Sequence, residues 1–90
     1  MLDGLMVLIP ALNEEADIEN VILGVREYGI PLLIDDGSTD RTSSIGKAAG
    51  AVVISHPENY GYEKALETGF NYFKNSQYQY LITLDADNQH

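Results

Sequence analysis

PLLIDDGSTDRTSSIGKAAGAVVIS, residues 31–55, holds two apolar runs separated by a polar turn and a short helical pattern. "PLLID" (31–35) and "AVVIS" (51–55) read as strands. Between them Ile45, Ala48 and Ala49 form a small apolar stripe, and Gly50 closes that helix. Strand, helix and strand in succession make a right-handed crossover between parallel strands. The flanking sequence extends the pattern. "LMVLI" (5–9) and "YLITLD" (80–85) are further β-rich runs. Near-continuous apolarity in 5–9, 31–35 and 80–85 marks strands covered on both faces of a parallel sheet. Ile18, Val21, Ile22 and Val25 fall at helical spacing, opposite Asp17, Glu19, Asn20 and Arg26. Leu66, Phe70 and Phe73 recur on one face of a third helix, largely away from Glu63, Lys64, Glu67 and Lys74, and Phe70 and Phe73 are assigned to the core. The order β-α-β-α-β-α-β predicts an α/β domain with a Rossmann-like parallel sheet, one domain over 1–90, with no repeat or linker.

In such a sheet all strands point one way, so the segments that follow them share one edge, where ligands of open α/β sheets bind. Those segments are "PALNEE", "DDGSTD", "SHPENYG" and "DADNQH". Eight of the fourteen acids (Glu14, Glu15, Asp17, Asp35, Asp36, Asp40, Asp85, Asp87) lie in or just beyond the first, second and fourth of these. The net charge is −9, and Arg26, Arg41, Lys47, Lys64 and Lys74 are the only Lys and Arg. Nucleic acid is excluded as a partner, because phosphate contacts need a basic face. A phosphorylated ligand is still accessible to an acidic rim when a divalent cation sits between them. The absence of cysteine excludes disulfides, thiolate zinc sites and cysteine nucleophiles. The first ten residues carry an acid where a signal peptide has bases, and the apolar run Leu5 to Leu12 is too short to span a bilayer. A cytoplasmic location is the expectation.

Each rim motif carries a structural and a functional reading. Pro10 is expected to end the first strand, and Asn13 to cap a helix beginning at Glu14. Pro10, Ala11 and Glu14 would otherwise line a pocket for a base and ribose. Asp36-Gly37 signals a turn, and Ser38, Thr39 or Asp40 can cap the next helix. Capping does not require adjacent carboxylates where a buried strand emerges. Such a pair needs a cation or donors to relieve it, and an acid after the second strand of a nucleotide-binding sheet commonly accepts from a ribose or base. Asp85 and Asp87 project to one side if the strand stays extended, so they can share a hard divalent ion that takes phosphate oxygens in its remaining positions. The bland alternative is a turn. Gly69 permits close packing of its helix on a strand. Lys64 can reach a phosphate or lie on a solvated face. His56 is read as exposed, and Tyr60 and Tyr62 as loop tyrosines able to stack on a base.

In this order, "VLIPALNEE", "LIDDGSTDRT", "NYGYEKALETGF" and "LDADNQH" resemble the donor-binding half of a family 2 glycosyltransferase of the GT-A fold. The style is similar to polyprenyl- and dolichyl-phosphate sugar transferases. The resemblance implies a partial GT-A fold and a UDP- or GDP-sugar donor. Pro10, Ala11 and Glu14 would contact the nucleoside, and Asp36 the base or ribose. Asp85 and Asp87 would form the aspartate motif, with Asp87 the direct ligand of Mg²⁺ or Mn²⁺. A polyprenyl phosphate acceptor follows from the same likeness, as does membrane association of a full-length parent. "GYEKA" departs from the small or basic residue that relatives often carry after that glycine, which bears on Lys64. No general base is found, so the catalytic residues stay unassigned. The chain reads as a truncated domain lacking the acceptor site, and its last strand is expected to present an open edge prone to self-association. The rival from another class is a non-catalytic α/β metal- or nucleotide-binding or interaction module. Receiver domains place their acidic pair after the first strand, and sugar-nucleotide pyrophosphorylases place a Gly-rich basic loop there, so both rank lower.

Overall fold

The computed structural model describes residues 4–86. Four strands and three helices alternate: β1 (Leu5–Ala11), α1 (Ile18–Val25), β2 (Ile30–Asp35), α2 (Thr42–Ala49), β3 (Val52–Ser55), α3 (Tyr62–Lys74) and β4 (Tyr80–Thr83). The sheet order is β3-β2-β1-β4, and every pairing is parallel. The expected α/β architecture is therefore the observed one.

Alternation along β1 divides the core. Leu5, Val7, Ile9 and Ala11 face α1 and α2, meeting Ile18, Val21, Ile22, Val25 and Ala49. Met6 and Leu8 face the other way, with Leu32, Ile34 and Ala65. Full burial of side chains of this kind contributes about 1.5–3 kcal/mol each. The buried residues of α3 are its small ones, Ala65 and Gly69. A Cβ on Gly69 would lie 2.3 Å from Leu8 Cδ1, so the expected close approach of helix to strand is present.

Four local expectations are corrected. Pro10 does not end β1. Leu8 O accepts from Leu84 N–H on the β4 side, and Ala11 O accepts from Asp36 N–H on the β2 side. By alternation Pro10 faces the β4 side, past the last ladder partner there, where its missing N–H is not needed. Asn13 does not cap a helix at Glu14, because α1 begins at Ile18 after a turn closed by Ile18 N–H donating to Glu14 O at 2.9 Å. Phe70 is 44% exposed rather than core, whereas Phe73 packs against the buried cluster. β4 ends at Thr83 and Ala86 lies in a bend, so extended alternation does not carry through the aspartates. Asp87 lies outside the described residues.

Among the described residues β4 pairs only with β1, and Tyr80 and Ile82 on it and Leu84 just beyond it are 51%, 53% and 43% exposed, so the cover on both faces expected for 80–85 is not found. That is the open apolar edge anticipated from the sequence. No helix among the described residues is long and apolar enough to cross a membrane.

Candidate functional site

The chain runs β1 to β2 to β3 in one direction and then returns to place β4 on the far side of β1. The carboxyl ends of β1 and β4 therefore flank the point where the winding reverses, and loops diverging there leave a crevice. A cavity of about 320 Å³ occupies this place. Pro10, Ala11, Leu12 and Glu14 contribute one wall, Asp85 and Ala86 a second, and Asn59, Gly61, Tyr62 and Ala65 a third, with Asp36 between them.

Asp36 is 5% exposed and its carboxylate is heavily engaged. Oδ1 accepts from His56 Nδ1 at 2.7 Å and from Tyr60 N–H at 2.9 Å, and Oδ2 accepts from Gly61 N–H at 2.8 Å. Burial would raise its pKa, but the hydrogen bonds from His56, Tyr60 and Gly61 outweigh this and hold it below the ordinary carboxylate value. The neighbouring Asp35 accepts Ser38 N–H at 3.1 Å. Donors on the chain thus relieve the adjacent carboxylates. A carboxylate offers about four lone-pair directions. Three are taken at Asp36, which leaves about one acceptor position for a ligand.

His56 is not exposed, contrary to the sequence reading. Its side chain is 8% accessible, and Nε2 meets Thr68 Oγ1 at 2.8 Å. Its ring lies 4.9 Å from that of Tyr60. Gly37 completes this corner: with φ +82° it lies so near the β3–α3 loop that a Cβ would stand 2.4 Å from Glu58 C.

The β1–α1 and β2–α2 loops zip together along the same rim. Asn13, in the left-handed region at φ 54°, accepts Thr39 N–H at 2.9 Å and donates its own N–H to Ser38 Oγ at 2.8 Å. Glu14 N–H donates to Thr42 Oγ1 at 2.8 Å, and Glu15 N–H to Asp40 Oδ2 at 3.2 Å. Asp40 also accepts Thr42 N–H at 2.9 Å, one residue ahead of Arg41, which stands at the N-cap of α2 and makes no side-chain cap bond. Burial would raise the Asp40 pKa, yet the Thr42 hydroxyl and amide, together with the Glu15 amide, lower it. Much of the acidic rim therefore holds loops together rather than standing open.

Of the anticipated site residues, Pro10, Ala11, Glu14, Asp36 and Asp85 converge on one cavity. Lys64 is not among its lining, and its ammonium pairs with Glu67 Oε1 at 2.9 Å on the exposed face of α3. Asp85 is exposed and makes no hydrogen bond or ion pair with another described residue, so its carboxylate suits a hard cation. No group of three metal-ligating side chains exists among the described residues. The sequence reading missed Asn59, Gly61 and Ala65 in the lining, and the His56–Thr68 link behind it. One signal could have found His56. It follows β3 as Asp36 follows β2, and the register Asp35↔Ser55 sets the two side by side.

Residues 6–90 match the family model for glycosyl transferase family 2. The chain belongs to glycosyltransferase family 2. Among relatives of this family 2 chain, an uncharacterized protein of Methanocaldococcus jannaschii is 38% identical over 98% of this chain and 37% of that protein. An undecaprenyl-phosphate 4-deoxy-4-formamido-L-arabinose transferase of Shewanella sediminis is 33% identical over 98% of this chain and 30% of that enzyme. The crystal structure of Mycobacterium tuberculosis glucosyl-3-phosphoglycerate synthase superposes with a TM-score of 0.79 at 31% identity, over 94% of this chain and 35% of that one. That enzyme has also been solved with Mn²⁺, UDP and glucosyl-3-phosphoglycerate (TM-score 0.78, 30% identity, 92% and 33% covered). The chain thus spans about a third of the length of the relatives it matches. The four-stranded parallel sheet is the part of the GT-A fold that this family 2 chain carries.

Proposed function

We propose that this family 2 domain binds the nucleoside diphosphate of a UDP- or GDP-sugar and forms the donor half of a glycosyltransferase. The acceptor of the complete protein is a polyprenyl phosphate, by analogy with the named transferase relatives. The observation that carries the reading is the cavity at the reversal of the sheet, which gathers Pro10, Ala11, Glu14, Asp36 and Asp85. Main chain at Pro10 and Ala11, with Glu14, bounds the nucleoside. Asp36, with about one lone-pair direction left, accepts a single donor from base or ribose. Tyr62, which is exposed and lines the cavity, offers a ring face for stacking on the base. Asp85 would hold Mg²⁺ or Mn²⁺ together with Asp87, and such an ion supplies charge neutralisation for the departing nucleoside diphosphate. The chain works in the cytoplasm, at the membrane surface where a lipid-linked acceptor presents its phosphate.

Titrating the chain with UDP and with GDP, each with and without Mn²⁺, tests this reading. Metal-dependent binding that disappears in Asp85→Asn and Asp87→Ala is the expected result. Absence of binding to either nucleotide in the presence of Mn²⁺ would favour a non-catalytic interaction module.

A further inference from the structure

Every described hydrogen bond from residues 57–61 to the sheet ends on one carboxylate, that of Asp36. These are the residues that bring Asn59 and Gly61 to the cavity wall. Gly61 also has φ +104°, a backbone conformation that an L residue rarely adopts, so the loop enters α3 through a restricted geometry. What holds Asp36 therefore holds this wall.

The proton inventory says what His56 does. The Asp36 carboxylate is ionised and accepts, so His56 Nδ1 carries the hydrogen that lies between them. Nε2 accepts from the Thr68 hydroxyl when the ring is neutral and donates to it when the ring is charged, so Thr68 holds the far side of the ring in either state. A threonine within a helix can instead spend its hydroxyl on a preceding carbonyl, but here it fixes the ring. The chain Asp36–His56–Thr68 joins the end of β2 to the middle of α3 across twelve and twenty residues of sequence. Both side chains of the His56–Asp36 pair are over nine-tenths buried. A histidine serving only as core filling would sit among apolar residues. This one stands at the strand end, level with Asp36 and behind the cavity.

We infer that His56 is a positioning residue of the donor cleft: through Nδ1–H it sets the Asp36 carboxylate, and through Thr68 it locks that carboxylate to α3, so that the Tyr60 and Gly61 amides shape the wall before a ligand arrives. The consequence for nucleotide affinity rests on the proposed donor-binding function, while the clamp itself does not.

Three variants of the full chain separate the two ends of the imidazole. Asparagine places its amide near Nδ1, glutamine near Nε2, and phenylalanine supplies neither. Amide hydrogen exchange, read by NMR on the free chain, is compared between Tyr60 and Gly61 and the amides of the β1–β2 ladder. His56→Gln and His56→Phe are expected to speed exchange at Tyr60 and Gly61 by about tenfold or more beyond any change in the ladder, the scale of a lost hydrogen bond to a charged group. His56→Asn is expected to restore most of the protection. UDP and GDP affinities in Mn²⁺ should follow the same ranking. Equal acceleration in all three variants, or none at Tyr60 and Gly61, would overturn the inference. So would wild-type nucleotide affinity in His56→Phe. Should the unmodified chain bind neither nucleotide, the donor-binding reading fails while the exchange ranking still decides the clamp. Should the variants not fold, ¹⁵N shifts of the unmodified chain decide it: a ring carrying a proton on Nδ1, whether or not Nε2 carries one too, supports the inference, and one protonated at Nε2 alone overturns it.

Discussion

Gly4 and Gly37 have almost the same positive φ, +83° and +82°, in different surroundings. Alanine at either site incurs left-handed strain of about 1–2 kcal/mol. At Gly4 the nearest atom to the new Cβ is Gln79 Cβ at 3.4 Å, an ordinary contact. At Gly37 it is Glu58 C at 2.4 Å, with Asn59 N at 2.5 Å, and these are main-chain atoms that cannot rotate aside. Restoring contact of the kind found at Gly4 requires the β3–α3 loop to retreat by about 1 Å. Glu58 and Asn59 cannot move that far without carrying the Tyr60 and Gly61 amides, whose bonds to Asp36 now measure 2.9 and 2.8 Å. Lengthened by such a step, both leave hydrogen-bonding range, and each is a bond to a charged group worth about 1.5–3 kcal/mol. Gly37→Ala should therefore cost at least about 3 kcal/mol more than Gly4→Ala, which for a domain of this size lowers Tm by about 12–24 °C beyond the control. Thermal unfolding followed by circular dichroism at matched concentration measures the difference. Equal losses in the two variants would refute the view that close approach at Gly37 seats the loop.

Two helix glycines should respond to alanine with opposite sign. Gly24 in α1 is exposed with nothing within 4 Å of a new Cβ, so Gly24→Ala is expected to stabilise by about 0.5–1 kcal/mol in urea denaturation. At Gly69 the new methyl would meet fully buried Leu8, and overpacking of about 1–3 kcal/mol outweighs or cancels the helix gain; stabilisation there would contradict the described packing. Acid should weaken the fold through Asp36 and Asp40, whose folded pKa values lie below the ordinary 3.8. Their stabilisation is complete above that value and is lost as pH falls below it through the folded values, so denaturation midpoints should drop below about pH 4. Asp36→Asn should flatten that slope, and an unchanged slope would remove Asp36 from the explanation.

Where the sequence reading and the structure part company, the cause is a partner distant in the chain. Asn13 looks like a helix cap when only its neighbours are considered, yet its amide and carbonyl oxygen are used by Ser38 and Thr39 on another loop. His56 reads as a loop histidine because Asp36 and Thr68 are far from it in sequence. Phe70 falls on one helical stripe with Leu66 and Phe73, which points to the core, but α3 turns its small face, Ala65 and Gly69, onto β1 and leaves Phe70 at the side. Pro10 reads as a strand end because it cannot donate to a ladder, and the register shows a position that needs no N–H. Against these stand Gly50, which closes α2 in the left-handed conformation at φ 107°, and the four strands, each found where an apolar run predicts it.

Element order, the direction of every strand and the edge on which the acidic segments gather follow from local periodicity and the handedness of crossovers, so ninety residues of sequence suffice for them. Which acids remain open to a ligand does not follow. Asp36 and Asp40 are drawn into hydrogen bonds with groups brought near only by folding, and Asp35 accepts from Ser38 three residues on, while Asp85 is left exposed beside the same cavity. A carboxylate at a strand end is chemically the same in either state. Only the loops packed around it decide whether its lone pairs hold the protein together or wait for something else.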